Sequence, residues 1–360
     1  MTNLEVRPQE HLCRAGEQPD AIELHPPRKV PLGGARAMTV RRTLPSRRRS
    51  LVGPFCFADH YGPNDLTPEN GMDVPPHPHT GLQTVTWLFE GTVLHQDSLG
   101  YVQRIDPGQL NLMTAGAGIC HSEEGTLARY PETKRIHGVQ LWTALPESAR
   151  HGQASFEHVA QVPTFNIDDA TVQVFMGDLE GATSPAKAYS PLVAAQIDIA
   201  PNATVRLPVD AGFEHGILLD RGALTVADAA VEPAGLAYLA PGRSELVLSA
   251  GPAPTRAVLM GGTPFEEDIL MWWNFVGRTH EEVAAYRMEW QAAIAGDADG
   301  LARFGSVDGY DGAALPAPVL PNVRLRPRGR LLYDRRFVFG VAWRIIGGVR
   351  RFRFGSLLLD

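Results

Sequence analysis

Pro75-Pro76-His77-Pro78-His79-Thr80-Gly81-Leu82-Gln83-Thr84-Val85-Thr86-Trp87-Leu88-Phe89-Glu90-Gly91 is the stretch on which the reading of this chain turns. From Gly81 to Glu90, Val85, Trp87 and Phe89 alternate with Thr84, Thr86 and Leu88, the period of a β-strand. In a strand, residues i and i+2 share a face, so His77 and His79 project together. His121-Ser122-Glu123 repeats that spacing about forty residues later. If the two strands lie side by side inside a barrel, three imidazoles and one carboxylate converge. That mixed nitrogen and oxygen set suits Fe(II), and also Mn, Ni, Cu or Zn. A single H-x-H is a weak signal. The two pairs together, each beside a Gly-rich turn and an apolar run, form a specific one. The competing reading is four separately solvated polar side chains; it accounts for either pair but poorly for both.

Working outward, Leu51 to Pro63 (LVGPFCFADHYGP) reads as a buried strand closed by a turn, with His60 as a structural histidine near the site rather than a fifth ligand. Asn64 to Pro76 reads as a loop. Gly91 reads as the turn of a hairpin leading into Thr92 to Asp97. Gly100 to Ile105, Gln109 to Thr114 and His137 to Leu145 complete a set of short strands. Gly116 and Gly118 let the backbone turn before His121. A second β series follows: Leu192 to Ile199, Ala203 to Leu207, Glu214 to Leu219, Ala223 to Val226, Gly235 to Leu239 and Arg256 to Met260. It resembles a duplication of the first without its H-x-H or H-x-E, and His215 within it is expected to be structural. Pro146 to Pro191, broken by prolines, reads as the connection, with one strand at Ala170 to Gly177.

Thr279 and Glu282 form a capping-box pattern, which predicts a helix to about Ala295 with Val283, Trp290 and Ile294 as its buried stripe. Trp272-Trp273-Asn274-Phe275 reads as a packing block. The predicted organisation is a polar leader (1–21), a metal-binding barrel (22–150), a connection (151–190), a barrel without metal (191–265), a helical segment (266–296) and an irregular basic tail (297–360).

Composition narrows the functional classes. Lys plus Arg number 33 against 40 Asp plus Glu, a net charge of −7, which argues against nucleic-acid binding by bulk charge. The arginines between Pro26 and Arg49 lack interleaved aromatics and read as a solvated loop edge. With 36 Gly and 29 Pro, short strands and turns are favoured over long helices. Cys13, Cys56 and Cys120 form no disulfide framework, which fits a reducing cytoplasm. Cys120 should face away from the metal as a small buried apolar residue. Neither a signal peptide nor an apolar run long enough to span a bilayer is present in the sequence.

Several motifs together resemble the pirin family of bicupins: LGG (32–34), VGPFCFADHYGP (52–63), PPHPHTGLQTVTWLFEG (75–91), MTAGAGICHSEEG (113–125) and GGTPFEEDILMWWNFVGRTHEEV (261–283). The resemblance covers about residues 22 to 295. It implies an all-β fold of two consecutive cupin (jelly-roll β-barrel) domains with a short C-terminal helix. It further implies one metal, most often iron, held by His77, His79, His121 and Glu123. Where the family pattern has Glu after the H-x-H, this chain has Gln83, and one negative charge is expected to be missing near the site. The implied activity is ring opening of quercetin-type flavonols by O2, releasing carbon monoxide, with Glu123 doubling as catalytic base and Phe55, Phe57 and Trp87 lining an apolar pocket. The alternative is a non-catalytic, redox-sensitive regulator that binds a transcription factor or metabolic enzyme through the surface around Arg41 to Arg49.

Overall fold

The computed structural model of the chain describes residues 22–32 and 38–327. The leader with Cys13, Gly33, Gly34, Arg36 and the basic residues 328–360 lie outside the described residues.

Two barrels follow one another, each a larger and a smaller antiparallel sheet closed over a core. In the first, the larger sheet runs in the order Ser155–Val159, Leu110–Thr114, Leu82–Glu90, Arg135–Ala144, Phe55–Asp65, Thr39–Leu44, Arg28–Pro31. Its smaller sheet runs Met72–His79, Ile119–Gly125, Val93–Asp97, Val102–Ile105. Val40, Leu88 and Ile136 from the larger sheet meet Met72, Val74, Val93 and Ile105 from the smaller one in a buried core. In the second barrel Val172, Val193, Ile217 and Leu259 meet Val205, Leu207, Leu224 and Leu248 in the same way.

Strand alternation explains how the barrels join. On Leu82–Glu90, Leu88 points into its own barrel while Val85 and Trp87 point out. The outward face packs against Phe175, Ala194, Leu218 and Val258 of the second barrel. Trp87 stacks on Phe175 with ring centroids 4.6 Å apart and donates its indole N–H to Gln196 Oε1 at 2.8 Å. A buried indole N–H needs such a partner. The two large sheets thus form one continuous interface.

The fold departs from the sequence expectations in several places. Residues 151–190 are not only a connection: Ser155–Val159 joins the first barrel and Ala170–Leu179 the second. Glu23–His25 pairs with Leu236–Leu239, so the chain's first described strand belongs to the second barrel. Gly91 makes no hairpin. Leu82–Glu90 pairs with Arg135–Ala144 and Leu110–Thr114, and Val93–Asp97 crosses to the other sheet. Gly91 has φ +92°, and a Cβ there would lie 2.4 Å from the Arg135 carbonyl oxygen, so the corner needs glycine. Met72–Pro76 is strand where a loop was expected, because a β-bulge absorbs Pro75 and Pro76.

Nor are the arginines of Pro26 to Arg49 all solvated. Arg42 and Arg49 are buried. Arg42 forks onto Asp59 at 2.7 and 2.8 Å. Arg49 reaches Glu23 at 3.0 Å and lies 3.2 Å over the Tyr238 ring. Burial of a guanidinium is tolerated where a carboxylate matches its fork.

Helix α1 (His280–Ile294) begins at Thr279, whose side chain accepts from the Glu282 amide. Its buried residues are Val283, Tyr286, Trp290 and Ala293, and Ile294 is exposed. The reason is a second helix, α2 (Ala298–Phe304). Its Gly300 presses on the Glu289 and Ala293 backbone, where a Cβ would lie 2.4 Å away, and this turns the covered stripe toward Ala293.

Candidate metal centre

His77 and His121 are direct cross-strand partners on Met72–His79 and Ile119–Gly125. Between His121 and Glu123 the register shifts: Glu123 pairs with Val74, so three steps on one strand match two on the other. The extra residue falls in Pro75-Pro76, which has no amide N–H to lose from the ladder. The ring centroids lie 5.1 Å apart for His77–His79, 4.4 Å for His77–His121 and 5.0 Å for His79–His121. One nitrogen from each lies within 4.8 Å of the others, and all three rings are buried.

The hydrogen bonds assign each tautomer. His77 Nδ1 is 2.8 Å from the Pro75 carbonyl oxygen and His79 Nδ1 is 3.2 Å from that of Asn274; a carbonyl only accepts, so both Nδ1 atoms carry the proton. His121 Nδ1 lies 3.3 Å from His95 Nδ1, and His95 Nε2 lies 3.0 Å from Asp97 Oδ2. The carboxylate requires His95 to donate through Nε2. His95 Nδ1 is then an acceptor, and His121 donates to it. On His77, His79 and His121 the Nδ1 is thereby protonated and the Nε2 lone pair is free. The three Nε2 atoms are buried and bonded to nothing among the described residues. An orphaned buried nitrogen costs about 1–3 kcal/mol, so three facing one another form a donor set suited to one shared lone-pair acceptor. Burial pushes His77 down to about 3 and His79 and His121 well below the ordinary histidine range, which keeps all three neutral. Neutral imidazole is the ligand form. The residues fit a metal.

Glu123 is buried on the same strand but outside the tight group of three. Burial and the Glu123 charge together push the Tyr61 hydroxyl well above its usual value, which places the carboxylate's field inside this barrel. Trp142 meets His79 edge-on at 5.1 Å and stacks on Phe57 at 3.9 Å. The aromatic neighbour of the centre is therefore Trp142, and Phe57 lies behind it with Arg42 over its other face at 4.2 Å. Phe55 and Trp87 belong to the inter-barrel core. Gln83 also points away from the site: it bonds Thr114 Oγ1 and the Lys187 carbonyl, both at 3.0 Å, and accepts from Thr143. The Glu-to-Gln difference expected to alter the site falls instead on a contact between the first barrel and the segment that carries Lys187.

Cys120 packs with Trp272, Trp273 and Phe275 on the outer side of the sheet, and burial raises its thiol pKa, as expected for a small apolar residue. His60 takes no part in the histidine group. With His137 it donates to Asp220 Oδ1 of the second barrel, both at 2.6 Å, while Arg41 Nε donates to its Nδ1 at 3.1 Å. The guanidinium on Nδ1 fixes the proton on Nε2, so this trio is a hydrogen-bonded lock between the barrels rather than an open ligand set. His215 is buried in the second barrel, and neither of its ring nitrogens has a partner among the described residues.

Sequence reading missed His95, Asp97, Trp142 and Asn274. His95-x-Asp97 carries the same i, i+2 signal as the ligand pairs and was open to notice. Asn274 acts through its carbonyl, which no sequence can mark.

The pirin family profile matches residues 37–143, and the profile of the pirin C-terminal cupin domain matches residues 194–296. This chain belongs to the pirin family. Among pirin relatives, a Pseudomonas aeruginosa protein, provisionally named a quercetin 2,3-dioxygenase, is 42% identical over 82% of this chain and 89% of its own. Human pirin is 29% identical over 72% of this chain and 88% of its own. A solved quercetin 2,3-dioxygenase from Acinetobacter baumannii superimposes with a TM-score of 0.78 at 38% identity, covering 85% of this chain and 97% of that one. A bacterial pirin from Escherichia coli, solved in complex with nickel(II), shares the fold at 17% identity with a TM-score of 0.53, over 68% of this chain and all of its own.

Proposed function

We propose that this pirin is a metal-dependent dioxygenase that opens the ring of quercetin-type flavonols with O2, its metal held by His77, His79, His121 and Glu123. The observation that carries the reading is the set of three converging, unpartnered Nε2 atoms. The names of the Pseudomonas and Acinetobacter relatives support the substrate class. Three nitrogens and a carboxylate suit Fe(II) best, with Mn, Ni, Cu and Zn as alternatives. Such an ion, when bound, supplies Lewis acidity that lowers the pKa of a flavonol hydroxyl.

The chain's own residues do the rest. Pro75, Asn274 and His95 keep the three rings oriented. Glu123 takes the hydroxyl proton at its carboxylate. Trp142, with Phe57 stacked behind it, keeps the side of the histidine rings next to His79 apolar and excludes water. The location we propose is the cytoplasm, supported by the free, buried Cys56 and Cys120; among the described residues no helix is long and apolar enough to cross a membrane.

The test is O2 consumption by metal-loaded protein with quercetin, beside His121→Ala. Turnover that vanishes in the variant supports the dioxygenase. A metal-loaded protein inert to flavonols overturns it and leaves the regulator reading.

A further inference from the structure

The polypeptide that leaves the second barrel returns to the first as a small hairpin, Leu270–Trp272 paired with Phe275–Gly277. Trp272 and Phe275 are partners, so Trp273 and Asn274 alone make the turn. Trp273 has φ +53°, the left-handed region, where two-residue hairpin turns ordinarily place glycine. A bulky residue there is a genuine outlier, held only because its surroundings over-determine it. Trp273 is 2% exposed and packs edge-to-face on Phe275 at 5.4 Å.

The hairpin is fastened to the strand end that carries His79. Phe275 bridges Thr80, and the Val276 amide donates to the Thr80 carbonyl at 3.1 Å. Gly81 has φ +67°, and a Cβ there would lie 2.3 Å from the Val276 carbonyl oxygen, so the approach is as close as backbone permits. At the tip of this turn the Asn274 carbonyl meets His79 Nδ1. Neither the first barrel nor its sheet supplies another partner for that nitrogen among the described hydrogen bonds.

We propose that the Trp273–Asn274 turn is a positioning element for the first barrel's histidine centre: the left-handed Trp273 aims the Asn274 carbonyl at His79 and thereby fixes the tautomer that frees its Nε2. The segment after the second barrel thus completes a site in the first, across 195 positions of sequence. This rests on the metal reading above, but its test does not depend on a bound ion.

The experiment compares Trp273→Gly and Trp273→Val in the full chain. Glycine adopts the left-handed conformation freely, and a β-branched residue resists it. Nitrogen-15 NMR of the histidine rings in metal-free protein reads the tautomer, and nickel(II) titration reads affinity. Wild type and Trp273→Gly are expected to hold the proton of His79 on Nδ1. Trp273→Val is expected to lose that single tautomer and to bind nickel about 10–100-fold more weakly, the usual scale for a lost outer partner of a ligand. A wild-type His79 protonated on Nε2, or equal behaviour of the two variants, overturns the proposal. Wild-type protein that holds the Nδ1 tautomer yet binds no nickel leaves the turn's role standing and sinks the metal reading instead.

Discussion

His95 faces His121 across neighbouring strands, Nδ1 to Nδ1 at 3.3 Å, and Asp97 holds the far nitrogen of His95. Asp97 Oδ1 also accepts the Leu99 and Tyr101 amides at 2.9 and 3.1 Å, so the carboxylate is itself fixed by the Ser98–Gly100 turn. The chain of partners leaves His121 one way to point. Replacing His95 with Ala is expected to weaken metal affinity about 10–100-fold while the apo-protein stays folded. Calorimetric titration with nickel(II) measures this, and an unchanged affinity would contradict the role.

The two barrels meet through a carboxylate that serves two histidines. Asp220→Ala removes the acceptor from both His60 and His137. Each orphaned N–H is expected to cost about 1–3 kcal/mol. Urea denaturation should register the loss, with metal stoichiometry unchanged. A variant as stable as wild type would show that water replaces the lock.

Acid should weaken the hold of His25 and Arg49 on Glu23. Burial raises the Glu23 carboxyl pKa, but the His25 and Arg49 side chains outweigh that and hold it at about 2, against an ordinary value of 4.5. A lowered folded-state pKa stabilises fully above the unfolded value and loses that contribution as pH falls through the folded one. The difference in melting temperature between wild type and Glu23→Gln is therefore expected to be constant above pH ~5 and to shrink from there toward pH ~2. A difference that grows on acidification would reverse the sign of the argument.

Substrate selectivity should follow the aromatic residue that touches the ligands. Trp142→Phe is expected to raise the KM for a flavonol several-fold, because Trp142 stands against His79. Trp87→Phe removes the hydrogen bond to Gln196 and part of the ring stacked on Phe175, and should lower stability by about 2 kcal/mol or more with KM unchanged. Steady-state kinetics on both variants separates them, and the opposite pattern would return Trp87 to the pocket.

Local periodicity carried most of the legible information. The H-x-H and H-x-E pairs obey strand alternation, so His77, His79 and His121 could be placed on one face from sequence, and their convergence needed only adjacency of two strands. The same alternation separated Cys120 from His121. Where the reading failed, the deciding contact was distant. Gly91 looks like a hairpin turn, but its strand pairs elsewhere. Phe55 and Trp87 are apolar positions whose direction depends on which side holds the second barrel. Arg42 and Arg49 look solvated until Asp59 and Glu23 are brought to them. The Asn274 carbonyl leaves no trace in residue identity at all.

The central claim is that one divalent metal sits on His77, His79 and His121. Its most direct test is elemental analysis of the purified protein after anaerobic reconstitution with Fe(II), beside a His77→Ala/His121→Ala double variant of confirmed fold. The account predicts about one equivalent of metal in the wild type and none retained by the variant. Metal-free wild type, or a variant that keeps its equivalent, would contradict it.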